Sequence, residues 1–280
     1  MLRKEVKAEC RKILVEKWWS IPLLANIFLV LVSIIFNPEN IYKVKEIITN
    51  SDGIVSVTKT TFAGFSVLNL GISIFYYLAI SALSLGFTRL VYNYFSDKTQ
   101  RFSSIFYYFS TPQKFFSAVW LDLNVALREL LWGSPMLFIF LVYLYTNTTL
   151  NPIFKASRFS NWFFVFLTIA YLIFFIVIVN RYSLAEVIFI KNDGKLTVNQ
   201  SVKLSVKITK GRLGELFVLG LSLIPVSFLA IFIITAPFVS MYITFVCTLY
   251  YKRMLENYEK DVAVVDVPIE SIEDISEEEK

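Results

Sequence analysis

The sequence predicts an all-α fold, a polytopic transmembrane helix bundle of about six spans with interfacial amphipathic helices on the cytoplasmic side. Three observations predict it. Of the 280 residues, 56% are hydrophobic, and mean hydropathy is +0.61. The apolar residues gather in runs of sixteen to thirty-five residues, such as Ile21 to Phe36 and Leu216 to Tyr250, a length set by the bilayer and not by a soluble core. The Lys and Arg residues fall between those runs with a strong asymmetry, 22 in segments 1–20, 89–129, 181–213 and 252–280 against 5 in segments 38–61 and 147–161. Under the positive-inside rule this places both termini in the cytoplasm and the protein in the cell membrane.

Taken in order, residues 1 to 20 carry six Lys or Arg, with Leu2, Val6, Cys10, Ile13 and Leu14 at helical spacing. This predicts an amphipathic surface helix ending at Trp18 and Trp19 at headgroup level. The tryptophans extend the run from Ile21 into a first span over 21–37. A basic stretch ahead of an apolar run also fits a signal peptide, but "SIIFNPEN" offers no small-x-small cleavage site and more spans follow, so the run reads as an uncleaved anchor. Residues 38–61 form a polar loop with Pro38, Asn50 and Gly53 as turn markers.

The second span covers 62–88, where Ala79, Ala82 and Gly86 share a face open to close helix approach. After a mixed aromatic and basic stretch, Pro112 begins or breaks a helix. An interfacial helix from Phe115, interrupted by Asp122, Asn124, Arg128 and Glu129, feeds a third span over 130–146, with Trp132 at the boundary and Pro135 tolerated early. The fourth span is 162–180. The 35-residue block Leu216 to Tyr250 exceeds one span of about 20 residues, and Thr235, Ala236 and Pro237 divide it into spans over 215–234 and 236–251. One long kinked helix is the alternative. Residues 1–258 thus form a single membrane domain, and 259–280 an acidic, mostly disordered cytoplasmic tail.

Segment 201–210 is ambiguous. Val202, Leu204, Val206 and Ile208 alternate as in a strand, whereas Lys203, Lys207 and Lys210 line one helical face. An isolated strand would leave its edges unpaired at the membrane surface, which favours a helix with its lysines toward anionic headgroups. Of the other charged residues, Arg181 is expected to snorkel to phosphate, and Glu186 to find a basic partner on 203–212. Asp122, Arg128 and Glu129 fit either a solute path or an ordinary hydrated helix face.

Chemical motifs are few. The chain has no His and two Cys, Cys10 and Cys247, in regions that make a bridge between them improbable. Histidine base catalysis and the common metal-ligand clusters are therefore excluded, and no catalytic, cofactor-binding or metal residues are expected. "GRLGEL" lacks the spacing and ending of a P-loop. "DGK" at Asp193 is a turn signal, and Asn147-Thr148-Thr149 matches a glycosylation acceptor. The basic residues are scattered along the chain, which argues against nucleic acid as a partner.

An ordered set of residues adds a resemblance: Tyr182-Ser183-x-Ala185, Ser201, Gly211, Phe217, Leu219, Leu221, Ser222, Pro237 and the pair Tyr250-Tyr251, with "LRKEVKAECRKILVEKWW", Leu131, Trp132 and Pro135 beyond them. Together these resemble the family of uncharacterised bacterial integral membrane proteins catalogued as domain of unknown function 975. The chain departs from the family's look at Met136 after Pro135 and at Phe238 after Pro237. The resemblance implies a multi-helix membrane protein that is helical around 197–210. It implies no catalytic chemistry.

The functional expectation is a non-enzymatic accessory membrane component that interacts with anionic lipid or with a membrane-protein partner. A small-solute or ion transporter is the alternative, for which the spans offer Asn69 and scattered Ser and Thr.

Overall fold

The fold is taken from a computed structural model that describes residues 2–16, 20–36, 67–96, 100–148, 158–193, 195–232 and 235–264. Trp18, Trp19, the 38–61 loop, Thr149 and the tail beyond 264 lie outside the described residues. All regular structure among the described residues is helical. In chain order it consists of α1 (Leu2–Glu16), α2 (Ile21–Ile35), α3 (Val67–Tyr94), a 3₁₀ segment (Phe102–Phe109), α4 (Pro112–Thr148), α5 (Arg158–Val179), α6 (Ala185–Asn192), α7 (Val198–Thr209), α8 (Leu213–Ser227) with a 3₁₀ turn (Phe228–Ile231), and α9 (Ala236–Val264).

Four stretches among the described residues are long and apolar enough to cross a membrane: Leu70–Tyr94, Pro112–Leu144, Trp162–Val179 and Leu213–Ile231. A fifth arises if α1 and α2, whose axes differ by 89°, are counted together. The expectation of about six spans is thereby narrowed. α2 alone is 15 residues, about 22 Å at 1.5 Å per residue and short of a hydrocarbon core of about 30 Å. The apolar part of α9 runs directly into Lys252, Arg253 and Glu256.

Apolar surface is turned outward along the spans. Leu137 and Phe138 on α4 are 63% and 67% exposed, and Trp162 and Phe166 on α5 are each 72% exposed. A monomer in water does not sustain such a band, whereas lipid tails solvate it without cost.

Two expectations about the third span are refined. The interfacial helix and the span form one continuous 37-residue helix, α4. Pro135 lies inside it, where its missing N–H orphans the Leu131 carbonyl. The Ser134 hydroxyl donates to that carbonyl at 2.8 Å and repairs the gap. The block 216–250 does divide at Thr235, whose N–H and hydroxyl both bond the Phe232 carbonyl in the turn between α8 and α9.

The core lies where α1, α2, α3, α6 and α9 converge. Val6, Cys10, Leu23, Leu90, Leu184, Ile188, Met241, Phe245 and Tyr250 are all nearly or fully buried there. The apolar stripe of α1 is accordingly spent on protein, with Val6 and Cys10 at 0% exposure. Cys10 and Cys247 are both free thiols. The small-residue face of α3 is also spent internally: Ala82 is buried, and Gly86 lets the backbone of Ile105 in the 3₁₀ segment approach where any Cβ would collide.

Ion pairs tie the charged segments to one another. Arg89 pairs with Asp193 at 2.7 Å, Lys191 with Glu259, Arg212 with Asp261 at 3.6 Å, and Arg253 with Glu9. Each pair joins two of the four Lys- and Arg-rich segments. α9 runs as helix through Val264, and Glu259 and Asp261 on it take part in two of these pairs. Each such half-exposed pair is worth about 0–1 kcal/mol. Their consequence is register.

Candidate functional site

α7 resolves the ambiguous segment as a helix. Thr197 caps it: its hydroxyl accepts from the Gln200 N–H at 3.3 Å, while the Gln200 side chain accepts from the Thr197 N–H at 2.8 Å. That reciprocal pair satisfies two donors a helix start leaves open. One face, Val198, Ser201, Val202, Ser205, Ile208 and Thr209, is buried. The Ser205 hydroxyl donates to the Arg181 carbonyl at 2.6 Å, which fixes α7 against the turn before α6. Lys203, Lys207 and Lys210 stand exposed on the opposite face.

A second basic surface lies along α1. Lys7, Arg11 and Lys12 line an open cavity of about 580 Å³ with Val15, Glu16 and Tyr242. The Lys7 ammonium is held in place, donating to the Ser222 hydroxyl at 2.6 Å and to its carbonyl at 3.0 Å.

The other predicted residues divide into two groups. Arg128 is engaged locally: its Nε donates to Asn124 at 3.0 Å, Asn124 donates to Asn199 at 2.9 Å, and the guanidinium stands 5.9 Å from the Tyr182 ring. Asp122, Glu129 and Glu186 are instead brought near one another.

Asp122 and Glu186 line a cavity of about 240 Å³ between α3, α4 and α6, together with Ile80, Ser81, Ser84, Leu85, Ala118, Leu121 and Val125. Glu186 presents surface to this cavity although protein surrounds it in depth. Its carboxyl is pushed above the usual carboxylate range, first by that desolvation and then by the charges of Asp122 and Glu129, with Thr88 opposing. The expected basic partner on 203–212 is corrected here. Glu186 lies toward α3, where the Thr88 hydroxyl donates to it at 3.3 Å. α7 turns Ser205 and Thr209 inward to the Arg181 carbonyl.

Several members of this cavity escaped the sequence reading. Ser81 and Ser84 line it, and Tyr77, close to Asp122, and Thr88, bonded to Glu186, flank it at helical intervals along α3. That periodicity was the available signal, obscured because single hydroxyls in a span are commonplace. Asn26 was also missed. It is 4% exposed, and its amide donates to the Pro237 carbonyl and to the Ser240 hydroxyl at 2.7 Å, tying α2 to the start of α9.

No group of three or more His, Cys, Asp or Glu among the described residues is arranged to hold a metal ion. The residues of the family resemblance have structural duties. Gly211 turns the chain at φ 87° between α7 and α8, Tyr250 donates to Glu215 at 3.0 Å, and Trp132 donates to the Tyr182 hydroxyl at 3.1 Å.

Described residues that are helical throughout, with four to five candidates to cross a membrane and apolar bands turned outward, define a polytopic helical membrane protein. Residues 1–258 match the family described as protein of unknown function (DUF975), and the chain belongs to that family. No curated protein and no solved structure matches it.

Proposed function

We propose that this protein is a non-enzymatic, lipid-interacting component of the cell membrane, with both termini in the cytoplasm and α7 presenting its lysines to anionic headgroups. One observation carries the reading: Lys203 and Lys207 on the exposed face of α7, and Lys210 just past its end, are all exposed, while the opposite face is bonded into the protein. A lysine near an anionic surface contributes about 1 kcal/mol. A docked helix spares the backbone its ordering cost at binding, leaving only that of the lysine side chains.

The basic cavity along α1 supports the same reading, because Lys7, Arg11 and Lys12 converge there. The four ion pairs support the threading, since they join the segments that the Lys and Arg asymmetry assigns to the cytoplasm. A helix-helix partner docking on the small-residue face of α3 is less favoured, because Ile105 already occupies Gly86.

The test is lipid retention in nanodiscs of mixed zwitterionic and anionic composition. The wild type should enrich anionic lipid, and the triple variant Lys203→Gln, Lys207→Gln, Lys210→Gln should lose most of that enrichment. Equal lipid profiles for the two proteins overturn the reading. A reporter fused within 191–213 that faces outside the cell overturns the threading.

A further inference from the structure

We propose that the open cavity between α1 and α9 is a discrete site for one lipid bearing a terminal phosphate monoester, its headgroup held by Lys7, Arg11 and Lys12. The site rests on the cytoplasmic, lipid-facing placement proposed above and adds to it a headgroup chemistry and a stoichiometry. The first observation is uncompensated charge. Lys7, Arg11 and Lys12 line one cavity of about 580 Å³ with a single carboxylate, Glu16, so the lining carries a formal balance of +2. Lys12 and Glu16 make only a loose, exposed pair at 3.8 Å, and neither Lys7 nor Arg11 belongs to an ion pair among the described residues.

A second, independent observation is the way Lys7 is held. Its ammonium donates to the Ser222 hydroxyl at 2.6 Å and to the Ser222 carbonyl at 3.0 Å, which uses two of its three N–H donors and leaves one. Ser222 is the tenth residue of Leu213–Ile231, a stretch long and apolar enough to cross a membrane, and lies about 14 Å along it at 1.5 Å per residue. The cation is thus drawn in beside an apolar span instead of extending into water, an unfavourable position for a charge without an anion. A lipid presents its phosphate from the leaflet alongside, where a solute ion would have to leave water.

The chemical class follows from the count of charges and donors. A phosphate monoester carries about −1.5 to −2 at pH 7 and presents three acceptor oxygens, whereas the phosphodiester of an ordinary anionic lipid carries about one negative charge. The +2 lining matches the monoester. Arg11 supplies a planar fork for two of those oxygens, and Lys7 and Lys12 supply point charges. Ala8 and Val15, both exposed in the lining, give apolar surface for the start of an acyl chain.

The experiment uses the full chain in nanodiscs of phosphatidylcholine containing phosphatidic acid and phosphatidylglycerol in equal amounts, with retained lipids counted by native mass spectrometry. One phosphatidic acid per protein should be retained in preference to phosphatidylglycerol. Arg11→Gln should lower that retention about tenfold, Arg11→Lys no more than about threefold, and Lys4→Gln, exposed on the same helix outside the cavity, not at all. Glu16→Gln should raise it about threefold, because Lys12 is released to the phosphate. Arg11 is exposed and outside the core, so its variants keep the fold, which equal melting temperatures check. The α7 triple variant should keep its single phosphatidic acid while losing bulk anionic enrichment; bulk enrichment intact in that variant counts against α7 alone, and the two readings fail separately. Equal retention of both anionic lipids, retention unaffected by Arg11→Gln, or displacement of the lipid by inorganic phosphate overturns the proposal.

Discussion

A Cβ placed on Gly86 would overlap the backbone carbonyl of Ile105, so the 3₁₀ segment lies against α3 at a distance only glycine permits. Gly86→Ala should therefore destabilise the protein by about 1–3 kcal/mol, the usual cost of overpacking against an unyielding backbone. Gly71→Ala on the same helix meets no atom within 4 Å and should be neutral or stabilising by up to about 1 kcal/mol. Thermal unfolding of the two variants in one detergent gives the comparison. Equal melting temperatures would contradict the close approach.

Asn26 is the polar tie between α2 and α9. Asn26→Ala should cost about 1 kcal/mol and at most about 2, the range for buried polar contacts between membrane helices. A double-mutant cycle with Ser240→Ala isolates their 2.7 Å bond. Strict additivity of the two substitutions would show that they do not interact.

Gly211 adopts φ 87°, a left-handed conformation that side chains rarely enter. Gly211→Ala should destabilise by about 1–2 kcal/mol. Gly214→Ala and Gly220→Ala, with open space around both glycines, should not. The order of melting temperatures checks this.

Asp193 receives the Arg89 guanidinium at 2.7 Å and the Tyr107 hydroxyl at 2.8 Å, with Lys114 nearby, and Arg89 above all holds its carboxyl below the usual carboxylate range. A depressed folded value means stabilisation that is present above the unfolded pKa of about 3.9 and is lost as pH falls through the folded one. Melting temperature should therefore drop on acidification below about pH 4, and Asp193→Asn should lack that part of the drop. Parallel acid profiles for the two proteins would refute the assignment.

Helix existence and class were legible in the sequence because bilayer thickness forces apolar runs of recognisable length. Thr197 and Gln200 show that local chemistry also carried the ambiguous segment, since their spacing is a helix-start signature that outweighs the alternation of Val202 to Ile208. The end of α9 was not legible. Glu259 and Asp261 read as a solvated tail until Lys191 and Arg212, about fifty to seventy residues away in sequence, are brought beside them. The cavity failed for a related reason: Asp122 and Glu186 were both noticed, but nothing in a linear pattern says that they line one cavity. Long-range partners decide such roles, and a single sequence does not display them.

α4 is an unbroken rod of 37 residues, roughly 55 Å at 1.5 Å per residue, in a slab of hydrocarbon about 30 Å deep. It cannot be housed upright without leaving a long stretch in the headgroup zone, so thinning of the bilayer is answered by tilt. Since Asp122 and Glu129 ride on the same rod, any change in its tilt carries both carboxylates with it.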